Sequence, residues 1–447
     1  MAKGFFGRHR DFTRLWVGQT ISQVGSQVTL VALPLLAITT LKATTFQVGL
    51  LAGFETVPFL LVGLPAGVWV DRWRRRPVLI ATDAGRGLLL ATIPLAHALG
   101  GLHMAQLYAV ALGTGVLTVF FDVAYQSYVP ELVASADLVD ANSRLEMSHS
   151  GAQLVGPGVG GVLVQAVRAA NAVLVDAASF AVSAVVLLGV RSVEDEPREA
   201  QARAHGHAQA EPEPAQVRSL FASVREGLDY VLRHPLLARI AACTATFNFF
   251  SAMAMAVFLY YAVRRLGISP ATIGLLFSAG GLGFLVGAWL TGPFGRRFGV
   301  GAALTFGAVG QGCAFLLVPA APTGHPVPFF LAAMVLEACT GPVFNVTQIS
   351  LRQTVTPSHL YGRMTATMRF MVWGALPLGS LAGGAMGEAL GLRTTLWIAA
   401  VGSALSALPV VVGPLRRLQS MPAPPDPIFS TAPAAVEKME GVDGSGG

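Results

Sequence analysis

The sequence predicts an all-α integral membrane protein with twelve transmembrane helices in two six-helix, pseudo-symmetric bundles. Hydrophobic residues make up 53% of the 447 residues and charged residues only 12%, whereas soluble domains carry roughly 25% charged residues. Apolar runs of about 20 residues, the length of a helix that crosses a bilayer, recur along the chain with polar loops between them. A long polar stretch in the middle separates six of these runs from the other six.

The twelve predicted spans follow from hydropathy and length, since a helix of about 20 residues covers the hydrocarbon layer of roughly 30 Å. Because their number is even, both termini should lie on one side of the membrane. The spans cover residues 15–40, 46–70, 78–99, 104–128, 146–167, 171–190, 236–262, 271–293, 300–320, 327–350, 364–388 and 394–413.

Basic residues indicate how the chain is oriented. Of the 30 lysines and arginines, 22 fall in loops and tails on the side that also holds both termini. Because cytoplasmic loops carry an excess of such residues, we expect a multi-pass protein of the cell (plasma) membrane with both termini in the cytoplasm. The net charge of +6 then reflects topology and contact with anionic headgroups, not nucleic-acid binding. The basic residues predicted on the opposite side are Lys42, Arg168, Arg264, Arg265 and Arg393.

Composition divides the chain into four predicted regions. Residues 1–190 form an N-terminal six-helix bundle and residues 236–413 a C-terminal one. The linker 191–235 begins with a stretch rich in charge, proline and alanine, which is typical of disorder. It ends in an amphipathic helix that we expect on the inner membrane surface. The tail, residues 414–447, is rich in proline, alanine and glycine and is also expected to be disordered.

Similar residues recur in the two halves of the chain at a spacing of 220 to 223 residues. Internal repeats of this kind are typical of secondary transporters, whose binding site lies between the repeats near the bilayer midplane. The matching features are Gly67 with its following basic loop and Gly287 with Arg296–Arg297, the segments that begin at Phe121 and Phe344, and Pro157 and Pro377.

Two motifs carry a resemblance to a known family. The loop GVWVDRWRRRP, residues 67–77, matches the pattern G-x-x-x-D-[RK]-x-G-R-[RK], although Arg74 replaces its second glycine. The fifth span contains AQLVGPGVGG, which is similar to an exporter-associated pattern, with Ala152 in place of the first glycine. On these motifs the chain resembles the major facilitator superfamily. The matching residues are Gly67, Asp71, Arg72, Arg75 and Arg76 in the loop, and Gly156, Pro157, Gly160 and Gly161 in the span.

Shorter segments resemble one branch of that superfamily, which holds the enterobactin exporter and macrolide efflux proteins. These segments are D-x-x-R at Asp83–Arg86, SYVPELV at Ser127–Val133, and PLGSLAGG from Pro377. The resemblance implies a secondary active transporter that exports a bulky small molecule by alternating access with proton antiport. The substrate would be a macrolide-like drug, a siderophore or a secondary metabolite.

Two alternatives stay open at this point, an uptake symporter of the same fold and a non-transporting membrane sensor. We expect a monomer whose partners are the substrate and the lipid bilayer, with the proton gradient as energy source and no cofactor. The sequence contains no G-x-x-x-x-G-K-[ST] phosphate-binding loop and no G-x-S-x-G or H-E-x-x-H motif. Its three cysteines lack metal-ligand spacing. A gradient-driven carrier is therefore favoured over an ATPase or another enzyme, and we expect no metal site.

The motif residues have expected structural roles. Gly67 should allow two helices to approach closely, and Asp71 should pair with Arg72, Arg75 or Arg76 to brace an inner gate. The arginines could equally be a pure topology signal. In the fifth span the glycines should allow tight packing and Pro157 should kink the helix, although ordinary small-residue packing would leave the same pattern.

Charged residues inside a membrane are costly and therefore suggest function. Glu55 and Glu337 lie near the middle of spans two and ten and are expected to carry protons, although a structural role is the alternative for each. Asp83 and Arg86 should pair at i,i+3 and join Asp122 in a structural network on the inner side. By contrast, Asp176 and Glu388 lie near outer helix ends and are expected to contact water.

A polar stripe marks span one, where glutamines recur every four residues and so share one helix face. Gln19, Gln23 and Gln27 form this stripe, which should line either a cavity or a helix contact. Together with Glu55 and Glu337 they form the predicted substrate and proton cavity.

Overall fold

The computed structural model describes residues 5–70, 72–134, 137–190 and 220–422. Every regular element within those ranges is helical. Twelve membrane spans are labelled α1 to α12. They are α1 Arg10–Thr39, α2 Thr45–Leu61 with Gly63–Val70, α3 Arg75–Ala98, α4 Met104–Leu132, α5 Leu138–Val167, α6 Ala169–Leu188, α7 Pro235–Arg265, α8 Pro270–Phe298, α9 Val300–Ala314 with Leu317–Ala320, α10 Pro326–Val355, α11 Ser358–Ala389 and α12 Leu392–Leu405 with Leu408–Val411.

The fold class predicted from the sequence is confirmed, and ten of the described helices are long and apolar enough to cross a membrane unaided. The two exceptions have visible causes. The first segment of α2 is short, and the apolar part of α5 contains several glycines, Gln153 and Gln165, which lower its mean hydropathy. Several helices also extend beyond the predicted spans on one side, as α4 does to Leu132. Polar residues there can stay helical once the chain has left the hydrocarbon layer.

Three spans predicted as continuous are interrupted. The breaks lie at Val62 in α2, at Phe315–Leu316 in α9 and at Ser406–Ala407 in α12. In each case a proline follows nearby, at positions 65, 319 and 409. Proline lacks the N–H that would donate a hydrogen bond to the carbonyl four residues earlier. For the three prolines, these carbonyls belong to Leu61, Phe315 and Leu405, respectively.

The two membrane sides are named by the chain ends. The terminus side holds the start of α1, the α2–α3 loop and the last described residues after α12. The far side holds the loops around residues 40–44, 99–103 and 266–269. Within the first half, α1 packs against α5 and α6, and α3 packs against α4 and α6. In the second half, α7 packs against α11 and α12, and α10 against α8 and α9.

The two bundles join through two helix crossings on the far side, which we call the glycine crossings. At one, α5 meets α8, and a Cβ placed on Gly161 would lie 3.0 Å from the Cα of Gly274. At the other, α2 meets α11, and a Cβ on Gly49 would lie 2.9 Å from the Cα of Gly384. The crossings are repeat-related, since Gly49 and Gly274 stand 225 residues apart and Gly161 and Gly384 stand 223 apart.

Polar contacts complete the closure of the far side. Arg264 Nη2 donates a hydrogen bond of 2.5 Å to the carbonyl oxygen of Ile38, which links α7 to α1. Glu388 is exposed, as expected from the sequence, and its Oε2 accepts a hydrogen bond of 3.1 Å from Thr44 Oγ1 across the bundles. The bundles are therefore sealed together at this side.

The amphipathic helix, Leu220–Arg233, packs against α11 and α7 on the terminus side. Val231 is fully buried, and Glu226 pairs with Arg363 of α11. Leu228 and Leu232 stay exposed. The amphipathic helix therefore does not lie only on the membrane surface, as was expected, because one of its faces packs against the C-terminal bundle.

The predicted division into four regions stays a prediction. Residues 191–219 and 423–447 lie outside the described residues.

Replacing Gly161 by valine should open the far side, because the added side chain would collide with the backbone of α8. We expect a membrane-impermeant maleimide to label the Ile273→Cys variant faster when Gly161→Val is also present. Ile273 is fully buried beside this crossing. The measurement uses purified protein in nanodiscs, with Cys243, Cys313 and Cys339 replaced by serine.

The matched control is Gly151→Val on the same helix, where a Cβ would meet no atom within 4 Å. It should leave the labelling rate unchanged. Equal labelling rates for the two valine variants would contradict the proposed seal.

Candidate functional site

A cavity of about 650 Å³ lies between the two bundles near the middle of the membrane, and we call it the central cavity. Helices α7, α8, α9 and α10 form most of its wall. The first half contributes α1 through Gln27 and α5 through Gln153 and Pro157. This position matches the expectation for an internally repeated membrane protein, in which a site lies between the repeats.

The wall of the central cavity is mostly apolar and rich in phenylalanine, with a few separated polar groups. Seven phenylalanines line it, and several pack ring to ring, with centroids 5.1 Å apart for Phe258 and Phe330. Such a surface is typical of a pocket for a partly apolar small molecule. The polar lining residues are Gln27, Gln153, Thr244, Asn248, Gln311, Glu337 and Asn345.

Glu337 supplies the carboxyl group of this cavity. It is half-buried, and its carboxyl group makes no hydrogen bond or ion pair within the described part of the chain. Gly341 leaves room beside it, since a Cβ there would lie 3.5 Å from Glu337 Oε1 and 3.6 Å from Gln311 Oε1. A carboxyl group and an amide group therefore border one open space.

The glutamine stripe of α1 does not act as a single cavity face. Gln27 lines the central cavity, whereas Gln19 and Gln23 do not. Ser22 Oγ donates to Gln19 Oε1 at 3.5 Å, and Gln23 Oε1 is buried without a hydrogen bond. The reason is packing, because α1 lies against α5 and α6 along most of its length.

Glu55 also lies outside the central cavity. Glu55 is half-buried on α2. A Cβ placed on Gly115 of α4 would lie 3.1 Å from the backbone carbonyl oxygen of Glu55. Its carboxyl group makes no hydrogen bond or ion pair with any residue in the described ranges. The predicted single site with Glu55 and Glu337 together is therefore absent from this structure, since α2 and α4 border a different space.

That space is a second cavity of about 390 Å³ between α2, α4 and α11, nearer the terminus side. Asp122 of α4 and Arg369 of α11 both line it, so opposite charges of the two bundles face one cleft. Phe59 and Trp373 pack across the bundles with ring centroids 4.8 Å apart. The bundles thus meet here through side chains around a cleft, whereas the glycine crossings bring their backbones together at the far side.

Asp83 and Arg86 form a buried ion pair inside the N-terminal bundle, with relative exposures of 0% and 6%. The guanidinium of Arg86 lies between two rings, 4.4 Å from the centroid of Phe121 and 4.2 Å from that of Phe180. Arg86 also donates to Thr118 Oγ1 at 3.4 Å. The pair thereby connects α3, α4 and α6, and Arg86 is close enough to act electrostatically on Asp122.

The basic loop after α2 braces the N-terminal bundle through two of its arginines. Arg75 forms an ion pair of 2.7 Å with Glu131 at the end of α4. Arg76 Nη2 donates to the carbonyl of Leu188 at 2.7 Å, which satisfies the end of α6. Arg72 and Arg74 are exposed, and the prediction for Asp71 concerns a residue outside the described ranges.

The expected close helix approach at Gly67 is wrong for this structure. A Cβ built on Gly67 meets no atom within 4 Å, because the second segment of α2 borders the cleft between the bundles. Its repeat counterpart Gly287 does lie at a close contact, against the carbonyls of Ala338 and Cys339 on α10. The two copies of the motif are therefore not equivalent.

The glycines of α5 make the tight contacts that their spacing predicts. Gly156 and Gly160 pack against Gln27 and Val28 of α1, and Gly161 packs against α8. Pro157 lies inside a continuous helix and lines the central cavity. Helix α5 thus joins its own bundle to the other one at the edge of the cavity.

Asp176 was expected to contact water, and this expectation is wrong. It is 2% exposed, and Ser179 Oγ donates to its Oδ1 at 3.2 Å. Helix α1 covers it, since Gly25 lies against Asp176 and Ser179. Sequence reasoning also missed the cavity amides Gln153, Asn248, Gln311 and Asn345, whose signal was an isolated polar residue in a long apolar span.

The N-terminal helix Phe5–Arg8 is held near the start of α5 by charge. His9 Nε2 lies 2.8 Å from Asp137 Oδ2, and Arg8 Nη1 lies 3.7 Å from the same oxygen. The hydrogen bond with His9 holds the pKa of Asp137 below its usual value. This contact should therefore weaken only in acid, as pH falls through that lowered pKa.

Comparisons with known proteins agree with this architecture. A family model described as "Transmembrane secretion effector" matches residues 7–441. The chain is 27% identical to the multidrug efflux pump Tap of Mycolicibacterium fortuitum, over 89% of this chain and 93% of that protein. It is also 27% identical to the enterobactin exporter EntS of Citrobacter koseri, over 94% of this chain and 95% of the exporter.

Solved structures show the same fold at low sequence identity. The nucleoside transporter NupG superposes with a TM-score of 0.71 at 12% identity, covering 90% of this chain and 98% of that one. A bacterial homologue of the iron transporter ferroportin, in an inward-facing state, gives 0.68 at 17% identity with the same coverage.

Removing one partner of the buried pair should destabilise the protein more than removing both. Arg86→Met leaves the Asp83 carboxylate buried without a counter-charge, which we expect to lower stability by about 3 kcal/mol or more. The double variant Asp83→Leu/Arg86→Met should recover much of that loss. Thermal unfolding of purified protein in detergent measures both variants.

Arg74→Met serves as the control, because Arg74 is exposed and its loss should barely change the unfolding temperature. A double variant that unfolds as early as Arg86→Met would contradict this account of the pair.

Proposed function

The chain belongs to the transmembrane secretion effector family of the major facilitator superfamily, and from this premise we propose that it exports a bulky, partly apolar small molecule by alternating access. Family membership makes it a multi-pass membrane transporter and not an enzyme. The finer proposal concerns direction, substrate and energy source. Its proposed substrates are a macrolide-like drug, a siderophore or a secondary metabolite.

The observation that carries this proposal is the central cavity between the bundles. Its volume of about 650 Å³ falls in the range of roughly 300–1,000 Å³ of pockets that hold drug-sized ligands. Phenylalanine rings supply apolar contact and the spaced amides supply hydrogen bonds, which suits molecules of varied shape. Two relatives named as an efflux pump and an exporter support the outward direction.

The proposed orientation places the terminus side in the cytoplasm and the protein in the plasma membrane. The excess of basic residues on that side supports it. With the far side sealed by the glycine crossings, this conformation would face inward. Substrate would enter from the cytoplasm, and the cycle would proceed by opening the crossings and closing the cleft between Asp122 and Arg369.

Proton antiport is the proposed energy source. Glu337 is the proposed carrier, because its carboxyl group is unpaired within the described chain and lies in the central cavity. A proton and a substrate that compete for one carboxylate would exchange across the membrane. Glu55 shares the lack of a described partner but lies outside that cavity, so we propose no direct substrate contact for it. We also propose that the transporter works as a monomer.

Transport into inverted membrane vesicles tests direction and energy source. Respiration acidifies the interior of such vesicles, so an exporter driven by proton antiport should accumulate a labelled macrolide inside, and a protonophore should abolish the accumulation. Uptake into intact cells without accumulation in inverted vesicles would instead identify a symporter. Binding without flux in proteoliposomes would identify a sensor.

Glu337→Gln should abolish proton-driven accumulation, because the amide has the same shape but cannot exchange a proton. The inverted-vesicle assay measures the rate at matched protein levels. Glu146→Gln is the matched control, since Glu146 is exposed on α5. Glu55→Gln should reduce transport less than Glu337→Gln does. Full accumulation by the Glu337→Gln variant would remove this carboxyl group from the coupling step.

Closing the cleft should bring Asp122 and Arg369 together. In a background without native cysteines, Asp122→Cys/Arg369→Cys should form a disulfide under mild oxidation, which requires Cα atoms within about 7 Å. The cross-link should stop flux, and a reducing agent should restore it. The two single variants control for oxidation itself. Continued transport by the fully cross-linked protein would argue against closure at this cleft.

A further inference from the structure

The central cavity carries charge of one sign only. Glu337 is the one ionisable side chain among its described lining residues, and no lysine, arginine or histidine lines it there. A half-buried carboxylate without a counter-charge is costly in a membrane interior. A ligand with a positive charge would remove that cost, whereas a ligand with a negative charge would increase it.

Aromatic rings strengthen this preference for a positively charged ligand. Seven phenylalanines line the cavity, among them Phe247, Phe258 and Phe330, together with Met255 and Met334. The face of an aromatic ring is electrically negative and attracts a cation, most strongly where water is excluded. Since these rings also supply apolar surface, a hydrophobic cation could satisfy both features at once.

The interruption of α9 also lies at the cavity wall. Helix α9 is interrupted at Phe315–Leu316, and its first segment ends at Ala314. Gln311, Ala314 and Phe315 all line the cavity. The N–H of Leu316 bonds the carbonyl of Cys313 and the next helical segment follows at once, so this interruption adds no positive group to the cavity wall.

Three basic side chains in other parts of the membrane region do not line the central cavity. His149 lies behind Gln153, with its Nε2 atom 2.7 Å from Gln153 Nε2. Arg369 lines the second cavity together with Asp122. On the far side, Arg264 is bound to the carbonyl of Ile38. None of these three is a lining residue of the central cavity.

We propose that the central cavity selects hydrophobic monocations, such as protonated amines or onium ions of drug size, with Glu337 as their counter-charge. This inference rests on the proposed function and narrows it. Macrolide-like amines fit the cavity, whereas polyanionic siderophores do not. The resemblance to a siderophore exporter therefore does not extend to the chemistry of this site.

Two probes of the same shape and opposite charge test the proposal. Tetraphenylphosphonium and tetraphenylborate are measured separately by equilibrium dialysis against the full-length protein in neutral-lipid nanodiscs, with empty nanodiscs to correct for partition into lipid. We expect the cation to bind at least about tenfold more tightly than the anion. Equal affinities, tighter binding of the anion or no binding of the cation would overturn the proposal.

The Glu337→Gln variant separates charge from shape. It should weaken binding of tetraphenylphosphonium about tenfold and should not weaken binding of tetraphenylborate. Glu146→Gln, which removes the same charge from an exposed position, should change neither affinity. Size-exclusion chromatography and the unfolding temperature verify that each variant is folded. Unchanged binding of the cation by Glu337→Gln would refute the role of this carboxylate.

Flux of the same cation in proteoliposomes distinguishes this inference from the proposed function. Selective binding without flux would leave the charge selectivity standing and refute transport. Flux of a macrolide without any charge preference in binding would refute the selectivity and leave transport standing.

Discussion

The contact between backbones at the two glycine crossings is the constraint on which the rest of the structure depends. Lipid offers little hydrophobic driving force for helix association, so helices in a membrane rely on close packing through small residues. Gly161 meets Gly274 and Gly49 meets Gly384, and these contacts hold one bundle against the other on the far side. Because α5 and α8 also line the central cavity, its far-side limit is set by one of these crossings.

Two charged sites of the membrane interior have different consequences. Asp83 and Arg86 neutralise each other and are enclosed by aromatic rings, so they stabilise the N-terminal bundle from within. Glu337 has no such partner in the described chain and faces open space. A buried charge without a partner is tolerated where a ligand or a proton can compensate it, and this difference assigns the proposed function to Glu337.

The two halves share a fold but not a role. The C-terminal bundle supplies most of the aromatic wall of the central cavity, whereas the N-terminal bundle holds the buried ion pair and the arginines that brace helix ends. The glycine motif follows the same asymmetry, since Gly287 packs tightly against α10 and a Cβ on Gly67 would meet no atom within 4 Å. The two halves thus share one helix arrangement, whereas their side chains have different roles.

The sequence by itself determined the twelve spans, their alternating sides and the repeat, because hydropathy and length act locally along the chain. It also predicted the Asp83–Arg86 pair, which lies within one helical turn. Interruptions at Pro65, Pro319 and Pro409 were harder to foresee, since seven other prolines lie inside unbroken spans.

Only the tertiary structure decided which polar residues face a cavity. Gln27 does so and Gln19 and Gln23 do not, Glu337 does so and Glu55 does not, and Asp176 is buried under α1. Each outcome depends on which helix covers a given face, a relation between residues that belong to different helices and lie far apart in the chain.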